Sequence, residues 1–104
     1  MKVDAVYNEK EDILYLGKKS VETKYSLSLS DMYVVDFDAQ NRVIGIEILD
    51  ASEMVHGFSK AFLKNIIEAR MFPQVYEDHI TIGFMVASSV AEEIHSSIAV
   101  PIPA

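Results

Sequence analysis

The chain has 104 residues, half of them hydrophobic, with no cysteine and a formal charge of -7 from nine Lys and Arg against sixteen Asp and Glu. That length can bury one core without a metal or disulfide staple, the apolar share excludes a disordered chain, and the missing cysteines exclude disulfides and thiolate chemistry. The charge repels phosphate backbones and anionic membranes, so neither nucleic acid nor a membrane is an expected partner, and a basic protein or a second copy is.

Lys2 to Tyr7 alternates weakly and Ile13 to Gly17 is short and apolar, with the polar run Asn8-Glu9-Lys10-Glu11-Asp12 between them, which reads as a first hairpin. Tyr7 and Tyr15 flank its turn and read as an aromatic pair of that hairpin. Lys18-Lys19, the only clustered cations, read as a turn. Val21, Thr23, Tyr25, Leu27 and Leu29 then alternate with polar residues, which predicts a long strand with one face in the core.

Met32 to Ser52 organises the rest. Tyr33, Val35 and Phe37 share one strand face, and Ile44, Ile46 and Ile48 share another. A two-residue turn at Gln40-Asn41 sets Phe37 opposite Ile44, Val35 opposite Ile46 and Tyr33 opposite Ile48, whereas a slip of one residue would set Asp36 opposite Ile44. In that register Gly45 faces Asp36. Five antiparallel strands are therefore expected before any helix.

Asp50 with Glu53 three residues on reads as a capping box. Met54, Phe58, Phe62 and Ile66 repeat every four residues, and Val55, Leu63 and Ile67 widen that stripe beyond what one sheet face would cover. The spacing predicts one main helix over residues 53–70, interrupted at His56-Gly57, re-capped at Ser59 and stopped by Pro73. A strand from Phe72 to Glu77 then turns at Asp78-His79 into the alternating Ile80, Ile82, Phe84 and Val86. Ile94, Ile98, Val100 and Ile102 follow as an edge strand protected by Pro101 and Pro103.

The expected architecture is α+β in a single domain over residues 1–104: an antiparallel sheet of about five strands in residues 1–52, one main helix over 53–70, and a two- or three-strand β extension over 71–104. Met1-Lys2-Val3-Asp4 lacks the apolar core of a signal peptide, and no run reaches about eighteen apolar residues, so a cytoplasmic protein is expected. No repeat, linker or low-complexity segment is visible.

Several of these residues together resemble a family. Tyr7, Asp12, Leu14 and Tyr15, then Glu22-Thr23, then Asp36-Phe37-Asp38, and above all Ile44-Gly45-Ile46-Glu47-Ile48-Leu49-Asp50-Ala51-Ser52 resemble the family known as domain of unknown function 2283, over residues 7–52. Asn8 stands where that family usually has Asp, and Asn41-Arg42 where an Asp-Gly-like turn is common; Asn also tolerates left-handed backbone angles. The resemblance implies a fold and no established activity. Some members look like the antitoxin halves of toxin–antitoxin gene pairs.

Asp36 and Asp38, two apart on one strand and near Glu47, could offer oxygen ligands to a hard divalent cation. The plainer reading is the solvent face of the hairpin, and it is preferred because paired carboxylates alone are weak evidence. His56, His79 and His95 have no short-spaced partner for zinc, and no nucleophile elbow or Gly-rich phosphate loop occurs. No catalytic residue and no cofactor are therefore assigned. The apolar excess of the predicted helix favours a homodimer, and the expected role is a non-catalytic, self-associating structural or regulatory module. The alternatives are an antitoxin-like acidic chain covering a small basic toxin, and a carboxylate-metal enzyme on Asp36, Asp38 and Glu47.

Overall fold

A computed structural model describes residues 1–102, with the backbone alone at Leu29. Eight strands, β1 (Lys2–Asn8), β2 (Ile13–Gly17), β3 (Tyr25–Ser30), β4 (Tyr33–Phe37), β5 (Val43–Ile48), β6 (Ile66–Val75), β7 (His79–Ser88) and β8 (Ile94–Pro101), pair antiparallel in the order β3-β4-β5-β2-β1-β6-β7-β8. Strand β1 is the bridge: Asp4 to Asn8 pair with β2, whereas Lys2 and Val3 pair with Arg70 and Ala69 of β6. The sheet curls around its inner face, and β8 comes back towards β3 without pairing with it among the described residues.

Period two decides what is inside. Leu14 and Leu16 pair with Ile48 and Ile46, and Ile46 pairs in turn with Val35, all fully buried. In the other half, Ala69, Met71, Val86, Phe84, Ile82 and Ile80 form the facing wall. The β4–β5 register follows the alternation at Tyr33↔Ile48 and Val35↔Ile46, and Gly45 faces Asp36. It departs at Phe37, which pairs with Val43 across a bulge. The cause is the turn: Asn41 adopts φ 62 and Asp38 N donates to Arg42 O at 3.0 Å, so the loop is longer than the predicted two residues. Strand β3 is shorter than predicted, because residues 21–24 form the approach to it.

The α+β expectation is overturned. The protein is mostly antiparallel β, and among the described residues its helices are two four-residue turns, α1 (Ala51–Met54) and α2 (Lys60–Leu63), in place of one helix over 53–70. Three physical reasons account for this. Val55 is already extended at the end of the first turn and Gly57, two residues on, adopts φ 93, so the helix stops there and is not merely interrupted. The run from Ile66 to Val75 is one ten-residue strand, which satisfies its backbone by pairing with β1 and β7. The four-residue spacing of Met54, Phe58, Phe62 and Ile66 arises without a continuous helix: Met54 is 39% exposed, whereas Phe58 and Phe62 are each 1% exposed. The segment from Ala51 to Leu63 works as a plug, with Phe58 stacked on Phe62 at 5.5 Å and tilted against Phe84 at 6.1 Å.

Four-residue helices do not stand alone, since nucleation costs more than one turn returns. Here neighbouring elements hold them. Ser59 Oγ caps α2 by accepting from Phe62 N at 3.1 Å, and at the other end Ser88 Oγ, carried by β7, donates to Phe62 O at 3.0 Å. No helix among the described residues is long and apolar enough to cross a membrane.

Candidate functional site

Asp12, in the turn between β1 and β2, joins segments of the chain forty residues apart. It adopts φ 56, and its carboxylate accepts Tyr7 Oη at 2.6 Å, Ser52 Oγ at 2.7 Å and Ser52 N at 3.1 Å. Its carbonyl accepts Ala51 N at 2.9 Å. Asp12 thus caps α1 from forty residues away. Asp50, the residue predicted to cap, instead adopts φ 50 and makes no side-chain cap bond. Lys64 Nζ to Glu9 at 2.8 Å ties α2 to the same turn.

The electrostatics follow from this geometry. Burial pushes the Asp12 carboxyl up, but the hydrogen bonds from Tyr7 and Ser52 outweigh it and hold the group below its ordinary range, with the charge of Lys60 adding a little. Burial, the hydrogen bond to Asp12 and the nearby Asp12 and Glu9 charges push the Tyr7 phenol up to about 12. Tyr7 therefore favours its neutral form in the fold. Its stabilising contribution is complete below about pH 10, the ordinary phenol value, and is lost as pH rises towards about 12. An alkaline absorbance titration should show a tyrosine ionising near that upper limit, and Tyr7→Phe should remove that step.

Tyr7 and Tyr15 are not a pair. The register Tyr7↔Leu14 and Val6↔Tyr15 sends them to opposite faces. On the outer face, Tyr15 lies over Gly17 and Gly45: a Cβ on Gly45 would stand 2.8 Å from Tyr15 Oη, and one on Gly17 would collide with the same hydroxyl. The two glycines are thus explained by one ring. Burial, then the charges of Asp36, Glu47 and Asp4, push the Tyr15 phenol up, which marks this face as acidic.

Of the three carboxylates singled out for a cation, Asp36 and Glu47 share the outer face and Asp38 is separated from them. Asp36 accepts Ser26 Oγ at 2.6 Å on the outer face, and Glu47 stands on that face two positions along, paired with Tyr15 and Val34. Asp38 is in the β4–β5 turn, 3% exposed, with its oxygens taken by Gln40 N, Arg42 N and Arg42 Nε at 2.8–2.9 Å. Among the described residues no three His, Cys, Asp or Glu come together in a way that could hold a metal ion. His79 Nδ1 bonds Asp78 at 2.6 Å and stacks on Tyr76, His95 Nε2 bonds Glu93 at 3.0 Å, and His56 is exposed beside Gly57.

The outer face changes character beyond β1. The rows Phe72–Gly83–Ser97 and Gln74–Thr81–Ala99 carry no charge, and the next row holds Arg70, Met85 and His95. Phe72 is 52% exposed there, beside a shallow groove over Gly83 that Gln74, Thr81 and Ser97 also line. This face is hard to see in the sequence, because its residues are the alternating partners of the buried ones. The signal was Phe72 out of phase with Ala69 and Met71.

A family model described as "Protein of unknown function (DUF2283)" matches residues 5–52. The chain is also 35% identical over 83 residues to "Uncharacterized protein MJ0789" of Methanocaldococcus jannaschii, covering 80% of this chain and 71% of that one. The chain belongs to the DUF2283 family. No solved structure matches it. The DUF2283 segment supplies β2 to β5, most of β1 and the start of α1, and the motif residues Tyr7, Asp12 and Ser52 meet in the network that closes one end of the sheet. The motif residues Tyr15 and Gly45 meet on its outer face. In DUF2283 terms, the first set caps α1 and the second packs a ring over two glycines.

Proposed function

We propose that this chain is a non-catalytic structural or regulatory module that works by forming a homodimer through the outer face of β6, β7 and β8. The observation that carries the reading is an uncharged, partly apolar patch of that face, the rows through Phe72 and Gln74, on a chain of net charge -7, with Arg70, Glu68 and His95 on the flanking rows. Two copies of an acidic protein repel each other wherever carboxylates face carboxylates, and the rows through Phe72 and Gln74 present none. Across three strands about 4.8 Å apart, those two rows cover roughly 14 by 13 Å, the centre of a small interface whose rim takes in Arg70, Glu68 and His95. The dimer is therefore expected to dissociate on dilution. Sedimentation velocity across a concentration series checks this: a shift from dimer to monomer supports the reading, and a monomer throughout contradicts it.

An antitoxin-like role is a second reading, favoured by the opposite half of the same surface. Asp4, Asp36 and Glu47 stand on the outer face around Tyr15, suited to a small basic protein. Native mass spectrometry from the source cell separates the two: a mixed complex with a basic chain favours this reading, and an apo homodimer the first.

A further inference from the structure

Gly83 has no reason within its own chain to be glycine. Gly17 and Gly45 lie under the Tyr15 ring, and Gly57 adopts φ 93. Gly83 sits mid-strand in β7, has no positive φ, and a Cβ added there would meet nothing nearer than Phe72 Cβ at 3.8 Å, ordinary van der Waals contact. A strand glycine is a local weakness, and it commonly marks a place where something from outside approaches the backbone. Beside it projects the half-exposed Phe72 ring, its register partner on β6. A projection and a hollow of matching kind therefore lie next to each other on one uncharged patch.

We infer that two copies meet in an isologous two-fold contact in which Phe72 of each protomer seats in the groove over Gly83 of its partner. This rests on the self-association reading and assigns its surface. Adjacent knob and hollow are what a two-fold axis requires: an axis passing between Phe72 and Gly83 exchanges them, so each ring fills the hollow it faces. The occupant is a second copy and not a charged partner, because no side chain lining the groove, Met1, Pro73 and the polar Gln74, Thr81 and Ser97 among them, carries a charge. Ser97 is exposed on the rim and tolerates substitution in the folded monomer.

The test compares wild type, Gly83→Val and Ser97→Glu by sedimentation velocity, with melting curves on the same samples. The valine fills the hollow, and the glutamate sets two carboxylates against each other across the axis. Both variants are expected to melt no more than a few degrees below wild type and to dimerise at least about tenfold more weakly. Phe72→Ala, half-exposed and outside the core, should weaken the dimer likewise, and it keeps the test decisive if the valine disturbs β7. Dimerisation of all three variants at the wild-type concentration would overturn this surface and leave self-association standing. A wild-type monomer up to about 1 mM would overturn both.

Discussion

Phe58→Ala is expected to destabilise the protein by about 3–5 kcal/mol, read as a fall in the urea midpoint at constant m. Phe58 is 1% exposed and touches Phe62 and Phe84, so its ring joins the plug to the wall formed by β7. Truncation leaves a cavity that Phe62 and Phe84 cannot close, because each is fixed by its own backbone element. A domain of this size has about 5–15 kcal/mol in total, so the loss is a large share of its stability. Met54→Ala is the control. A continuous helix would place Met54 on the same buried stripe as Phe58, whereas at 39% exposed it should cost well under about 1 kcal/mol. Equal losses at the two positions would favour the helix over the plug.

Asp12→Ala is expected to cost about 2–4 kcal/mol, from the lost cap of α1 at about 1 kcal/mol and the lost charge-assisted bonds from Tyr7 and Ser52. The substitution also leaves an Ala at φ 56, a conformation that a non-glycine side chain without local polar bonding disfavours. Because the folded Asp12 carboxyl is held below its ordinary value, its contribution is complete above the unfolded value of about 3.9 and is lost as pH falls through the folded one. Wild type should therefore lose stability in acid more steeply than Asp12→Ala. Parallel acid curves for the two proteins would show that Asp12 is not the anchor. Asp38, held low first by the Arg42 backbone N–H and also by the Arg42 side chain, adds to the wild-type acid loss and is common to both proteins.

How much of this was readable in the chain depended on whether the deciding contact was local. Strand faces were legible because period two is a local signal: Val35, Ile46 and Ile48 had to share a wall, and they do. The sequence does not separate one main helix from the observed structure, because a spacing of four across Met54, Phe58, Phe62 and Ile66 is satisfied equally by a plug followed by a strand. What decides between them is the demand of β1 and β7 for a partner, a contact no window contains. The capping of α1 failed for a related reason. Asp50 occupied the right position and residue type, but a donor set fixed by Asp12 from forty residues away left it in the left-handed region. Tyr7, Asp12 and Ser52 were each part of the recognised motif, yet nothing in the motif says that they touch.

The carboxylates teach a different lesson about candidate sites. Asp36 and Asp38 share a face only if the strand continues through Asp38, and the turn begins there instead, spending both Asp38 oxygens on its own backbone and on Arg42. The uncharged patch of β6 to β8 carries one local signal, Phe72 out of phase with Ala69 and Met71, and Gly83 becomes informative only once the other three glycines have been explained.

A dilution series of two-dimensional amide NMR spectra tests the central claim most directly, since it reports self-association and its location together. Concentration-dependent shifts are expected at Phe72, Gly83, Ser97 and their neighbours on β6, β7 and β8, with the amides of Asp36 and Glu47 unchanged. Shifts confined to the Asp36 and Glu47 face, or none across the series, would contradict that claim.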